Sequence, residues 1–427
     1  MQHLFSSRRL RAAAVGAVAL ALVLTGCSSE ESFSYTTPTQ VDQALPDDTT
    51  AQLQEAVEHA MAKTGATGAI VGVWVPWSGT WVTGLGTQSV EDETAVTPEM
   101  SFRAGDVTRM MTCEVLYALA DDDVVELDAA VPDYVSGVAQ LRDITLLDLC
   151  NGTSGVGSSQ GAVQGMWLNT PERVWAPLEL ASFGLGQKAV EPHTTYRDSD
   201  AGYLLLGLAL ERASGMSASE LINRYVSNPL DLVETSLPGP TAAEPGENPL
   251  SGNRLTTIEG GYDCTAPVDI TKLSSSTGFT DSGAVSTIDD LGRYVQAAAS
   301  QGLRQNPKPD RYESPLPSSE KAPSWYQATG GAYLVGPLVG QHGWTPGYAT
   351  AAYSDPTTGF TVAVVLNNSS AGGSPAAYLA WELAAIASKA PAASGETAPE
   401  FGLPFTAEQY HASIEKLSVC ATPPAAE

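Results

Sequence analysis

Positive charge is what this sequence has least of. Its 21 Lys and Arg stand against 48 Asp and Glu, a formal net charge of −27. No basic stripe accompanies any segment, which excludes nucleic acid as a partner and electrostatic docking on anionic lipid. No internal repeat occurs, so solenoids and propellers are excluded. No Asp-rich loop of calcium type occurs, and nothing implies a cofactor. No apolar run is long enough for an ordinary membrane span, which needs about 20 residues; the "AAAVGAVALALV" stretch near the N-terminus is shorter. What is present is the composition of a globular protein, 43% hydrophobic and 16% charged over 427 residues, enough for one large domain or two small ones.

The first residues read as an export signal. "MQHLFSSRRLR" is a positive n-region, the apolar run above is a short h-region, and "LTGC", Leu24 to Cys27, follows. Small residues before a Cys resemble the lipobox of bacterial lipoproteins, in which the Cys is diacylated. The expectation is a signal peptide over residues 1–26, a lipid-anchored Cys27, and a protein on the extracytoplasmic face of the cell membrane. A plain signal peptide or an uncleaved anchor are the alternatives. Loss of Arg8, Arg9 and Arg11 would take the mature charge to −30. Residues 27–50, polar and turn-rich, read as a tether, residues 51–395 as the domain and 396–427 as a less regular C-terminal extension. In an oxidising compartment Cys113, Cys150, Cys264 and Cys420 become disulfide candidates, with three pairings open.

Periodicity organises the rest. "AQLQEAVEHAMAKTG" is an amphipathic helix closed by Gly65. "GAIVGVWVP" and "TWVTGLG" form a hairpin around "WSG", and "YATAAYSD" pairs with "GFTVAVVLNN" through "PTTG". Apolar helices follow "DVTR", fill "YRDSDAGYLLLGLALERASG" up to Gly215, and span "SPAAYLAWELAAIASKA". Residues 235–262 and 304–326, rich in Pro and Gly, read as long loops. Strands at both ends around a helical middle make an α+β domain with a helical insertion.

Five segments, in order, carry a resemblance. "FRAGDVTRMM" followed by "VVELDAAVPDYV" resembles the Phe-Arg-x-Gly-Ser-x-x-Lys region of the β-lactamase-related serine hydrolases, which include class C β-lactamases, D-Ala-D-Ala carboxypeptidases and esterases. "ITLLDLCNGTSG" is similar to that family's segment ending in His-Thr-Ser-Gly. "YRDSDAGYLLLGLALERASG" resembles its Tyr-x-Asn segment, "SGAVSTIDDLGRYVQAA" one of its helix starts, and "GQHGWTPGYATAAYSDPTTGFTVAVVLNN" its His-x-Gly strand. The resemblance spans about residues 52–390. It implies an antiparallel sheet flanked by helices with a helical subdomain, and a mechanism with three stations: a Ser nucleophile assisted by Lys, a Tyr that shuttles the proton, and a strand that binds substrate and lines the oxyanion hole.

Every station is altered. Asp106 and Arg109 stand for Ser and Lys, Asp198 and Asp200 for Tyr and Asn, and Gln341 for His, while Gly343 is kept. A carboxylate is a poor acyl-transfer nucleophile because its acyl product is an anhydride. A guanidinium stays protonated and cannot serve as base. No catalytic residue is therefore assigned. Other serines offer little: "GSSQG" at 157–161 lacks a preceding strand and a following apolar helix, "SSEK" at 318–321 lies in a Pro-rich loop, and "KTG" at 63–65 is a helix end. His342, alternating with Gln341 and Gly343, faces away from the pocket.

Asp106 at a helix start is expected to cap it and to pair with Arg109. Asp198 and Asp200 are expected in the same space, with Arg197 beside them. The cluster reads as a salt-bridged plug or, since carboxylates outnumber guanidinium groups, a site for a cation or amine. Cys113 lies on the Asp106 helix and Cys150 ends a segment that packs near the pocket in the family, so the expected pairs are Cys113 with Cys150, and Cys264 with Cys420, the latter stapling the C-terminal tail to the domain. The resemblance suggests a binding or scaffolding lipoprotein that meets peptidoglycan fragments or an envelope protein. The alternatives are a working hydrolase with an unrecognised nucleophile, and a transport or assembly accessory.

Overall fold

The computed structural model describes residues 35–420. The signal-like segment, Cys27 and the last residues lie outside them. Among the described residues no helix is long and apolar enough to cross a membrane.

An eight-stranded antiparallel sheet organises the fold. Its order runs from Gly79–Gly86 through Gly68–Val75, Thr361–Leu366, Tyr348–Ser354, Leu338–Thr345, Ala332–Val335 and Tyr326–Thr329 to Leu316–Pro317. The strands Gly68–Val75 and Thr361–Leu366 are almost wholly apolar because both faces are covered. In "TVAVVL", Val362, Val364 and Leu366 enter one core with Leu379 and Trp381, while Ala363 and Val365 enter the other with Leu291 and Val295. Each such buried Val or Leu contributes about 1.5–3 kcal/mol.

One face is covered by three helices: Asp47–Thr64, Ser374–Ala387 and Ala407–Lys416. The other is covered by Ile288–Ala299 and by Val107–Asp121, behind which the helical region that includes Asp200–Ser214 packs. The Ile288–Ala299 helix approaches the sheet closely because Trp74 sits between two glycines. A Cβ on Gly72 or Gly292 would lie 2.1 or 2.4 Å from the Trp74 ring.

Several readings of the sequence need correction, among them the loop over 304–326, which contains the edge strand Leu316–Pro317. The tether does not extend to residue 50: Ala44 pairs with Thr80, Leu45 is buried and helix begins at Asp47. The loop expected over 235–262 contains the strand Asn253–Ile258, which returns as Gly261–Asp269 through a turn at Gly260, φ +86°. The tail is not irregular throughout. Thr406 caps the helix Ala407–Lys416, and Tyr410 and Ile414 bury against Ser374–Ala387. Both disulfides are formed, Cys113–Cys150 and Cys264–Cys420; the second fastens the end of this tail to the returning strand.

Candidate active-site cleft and its charge cluster

The helix Val107–Asp121 starts from a turn that needs Gly105, φ +55°. Thr108 secures it, donating to the Gly105 carbonyl at 2.7 Å and accepting from the Ala284 N–H at 3.1 Å. Asp106 occupies the cap position without capping. Its backbone is helical, φ −64° and ψ −7°, and its side chain makes no cap bond. A cap requires an extended backbone that turns the side chain back over the first N–H groups. The Asp106 carboxyl turns instead toward the strand Leu338–Thr345, where a Cβ on Gly343 would lie 2.1 Å from it. Glycine at 343 makes room for that carboxyl.

Arg109 is the centre of the cluster. Its Nη1 meets Asp198 at 2.7 Å, its Nε meets Asp281 at 2.8 Å and its Nη2 meets Asp106 at 3.4 Å. The guanidinium also lies over the Tyr203 ring, 5.0 Å from its centroid. Arg109 and Asp281 are each 5% exposed and Asp106 10%, whereas Asp198 is 58% exposed. Burial opposes the charge on Arg109, but the three carboxylates hold its pKa well above the ordinary value. Burial raises the Asp106 carboxyl well above the usual range, with Arg109 pulling against it and Asp281 and Asp198 adding to the rise. The Asp106 Oδ1 is buried with no hydrogen-bond partner. Burial likewise pushes Asp281 up to about 6 against the pull of Arg109.

The other positions sort themselves around this core. Asp200 is turned aside: its Oδ1 accepts from the Ser158 hydroxyl and the Ser159 N–H, both at 2.6 Å. Arg197 does not join the cluster; its Nη1 donates to the Gly155 and Lys188 carbonyls. Gln341 is buried on the same strand face as Gly343 and donates to the Gly331 carbonyl at 2.9 Å. His342 lies on the opposite face, stacked on Tyr333 and bonded to the Tyr353 hydroxyl at 2.6 Å. A helix, Gln160–Asn169, does follow "GSSQG", contrary to the sequence reading. Its Ser158 hydroxyl donates to the Asp200 carboxylate and Ser159 Oγ accepts from the Gly184 N–H, so neither meets a histidine or a lysine.

Asp281 is the residue sequence reasoning missed. It sits on a single helical turn, Phe279–Ser282, far from Arg109 in sequence. Its only signal is a lone carboxylate in the otherwise uncharged stretch between Lys272 and Asp289.

The fold agrees with the comparisons. The chain belongs to the β-lactamase family, whose model matches residues 53–385. In solved structures it is similar to the D-stereospecific amidohydrolase of a Streptomyces species, with TM-score 0.67 and 20% identity over 79% of this chain and 99% of that one. It is also similar to an octameric penicillin-binding protein homologue of Pyrococcus abyssi, with TM-score 0.66 and 22% identity over 79% of this chain and 76% of that one. At these identities the likeness concerns the fold. Among curated proteins it resembles the probable hydrolase M10 of a Phoma species, 27% identical over 36% of this chain and 31% of that one. It also resembles the unguisins hydrolase ungD' of Aspergillus campestris, 24% identical over 51% of this chain and 41% of that one. The chain thus matches less than half the length of either curated relative.

Proposed function

We propose that this protein is a lipid-anchored extracytoplasmic lipoprotein whose β-lactamase-like domain has lost the hydrolase chemistry and binds a cell-envelope ligand. The observation that carries the reading is Arg109. A guanidinium held by Asp106, Asp198 and Asp281 occupies the place where the family mechanism needs a base beside a nucleophile. It cannot accept a proton, and the carboxyl one turn before it cannot form a stable acyl product. Peptidoglycan fragments are the ligand class that the family resemblance favours, with an envelope protein second. Turnover of a p-nitrophenyl ester tests the loss of chemistry: no saturable hydrolysis is expected. Saturation kinetics that vanish in Asp106→Ala overturn the reading.

The curated relatives, both named as hydrolases, favour a second reading in which another side chain is the nucleophile. A fluorophosphonate probe separates the two, since only that second reading expects a labelled serine. Anchoring is tested apart from chemistry. Cys27→Ala is expected to abolish incorporation of a palmitate analogue and leave the precursor unprocessed, and unchanged labelling removes Cys27 as the acceptor.

A further inference from the structure

A cleft of about 370 Å³ adjoins the charge cluster. Trp344, next in the strand after Gly343, lines it together with Gln164, Arg254, Tyr262, Ser369 and Ser370. The loop that carries the two serines reaches the cluster's wall, since a Cβ on Gly373 would lie 2.7 Å from the Gly343 backbone. The volume is that of a small-ligand site.

Ser369 and Ser370 accept from the Gly347 and Leu255 N–H groups, but the other polar side chains named are idle. The Gln164 amide, the Arg254 guanidinium, the Tyr262 hydroxyl and the Trp344 indole N–H have no hydrogen-bond or ionic partner among the described residues, although each side chain is half-buried. The contrast with the other arginines of the interior is direct. Arg103, Arg109, Arg304 and Arg311 all bind carboxylates, carbonyls or hydroxyls. Arg254 binds none, and its Nε is shielded from water with no acceptor. Leaving a donor in that state is unfavourable unless something else supplies the acceptor. The two rings are idle as well. The aromatic side chains beyond the opposite sheet face contact one another through Tyr326, Tyr333, Trp381 and Tyr410, whereas Trp344 and Tyr262 pair with no ring among the described residues.

We propose that this cleft binds an acidic saccharide, a sugar ring that carries a carboxylate. Flat Trp and Tyr faces suit the C–H face of a sugar ring, and their N–H and O–H suit its hydroxyls. The guanidinium fork suits a carboxylate, which it grips through two parallel bonds. In a chain of net charge −27 an unpaired, half-buried Arg marks the place where one more anion is accepted. The proposal rests on the binding reading above and names the ligand class for it.

Isothermal titration of the full chain in detergent tests it with three probes: N-acetylmuramic acid, N-acetylglucosamine, which lacks the carboxylate, and N-acetyl-D-alanine, which lacks the sugar. Saturable binding is expected for the first, at least about tenfold tighter than for either of the others, the ratio of one charge-assisted bond pair. Arg254→Gln is expected to erase that preference, and Arg254→Lys, which keeps the charge but not the fork, to retain part of it. An unchanged melting temperature shows that both variants are folded. Equal affinity for the two sugars, no saturation by N-acetylmuramic acid, or affinity that survives Arg254→Gln overturns the proposal. Tighter binding of N-acetyl-D-alanine overturns it too, while leaving the binding reading in place. Hydrolysis that depends on Asp106 overturns the binding reading itself.

Discussion

The strand Leu338–Thr345 presents two faces that handle burial in opposite ways. Gln341 and Gly343 look toward Arg109 and its three carboxylates. His342, between them, looks into rings: Tyr333 stacks on it at 4.7 Å, Trp381 meets it edge-on at 5.9 Å, and the Tyr353 hydroxyl bonds its Nδ1. The first face keeps a buried cation and surrounds it with three carboxyl groups. The second keeps its imidazole uncharged, because burial pushes it down to about 4. Both arrangements avoid an isolated buried charge. The comparison teaches that one strand can bury polar groups in two ways, by ion pairing on one face and by keeping a ring neutral on the other. Most groups of the charged face find partners within it, the Asp106 Oδ1 excepted, and further unpartnered polar groups lie one strand position away, in the Arg254 cleft.

Removing the cation from the charged face is expected to have the largest effect. Arg109→Ala leaves the buried Asp106 and Asp281 uncompensated, which destabilises by about 3–5 kcal/mol. Adding Asp106→Ser should return part of the loss. Urea denaturation checks both, and a single variant that unfolds at the wild-type midpoint shows that the cluster is solvated.

The two faces should also titrate with opposite sign. The unfolded His342 binds a proton near 6.5 and the folded one near 4. Its contribution is therefore whole above about pH 6.5 and falls as pH drops toward 4, by about 3 kcal/mol. Asp281, raised to about 6 from 3.8, behaves conversely: the folded state takes its proton first, so stability is gained as pH drops through the same window. His342→Phe should remove only the first limb. Between pH 7 and pH 4 that variant should gain stability relative to wild type, and parallel pH profiles would show that His342 is not held neutral.

The smallest effect is expected at the exposed leg of the cluster. Asp198 is 58% exposed, and its bond to Arg109 is open to water. Asp198→Asn should change stability by less than about 1 kcal/mol, against a much larger change for Asp281→Asn. Equal changes would erase the distinction between the buried and the exposed carboxylates.

Periodicity made most of the fold legible. The helix after "DVTR" and the hairpin over "TVAVVL" declare themselves locally, through apolar repeats closed by turn residues. The misses share a physical cause. The strand Asn253–Ile258 is short, half of it is exposed, and it lies in a Pro- and Gly-rich stretch whose composition reads as loop. The tail helix owes its place to burial of Tyr410 and Ile414 on another helix, a contact that propensity cannot announce. Within the site, the motif positions place Asp106, Arg109 and Asp198 together, but not the buried carboxylate that completes the cluster. Asp281 meets Arg109 across 172 residues from a one-turn helix. Arg197 was misjudged for the opposite reason, because its neighbour in sequence says nothing about its direction. It points to the Gly155 and Lys188 carbonyls, while Asp198 points to Arg109.

The central claim is that this cleft holds no acyl-forming group, and intact-protein mass spectrometry after incubation with a fluorescent penicillin tests it most directly. Wild type is expected to keep its mass, and so are Asp106→Ser and Asp106→Ser with Arg109→Lys, because partial sets of a catalytic unit gain little. An adduct at position 106 is expected to need Asp198→Tyr in addition, with Asp200→Asn and Gln341→His improving its yield. A stoichiometric adduct on wild-type protein, lost in Asp106→Ala, would contradict the account.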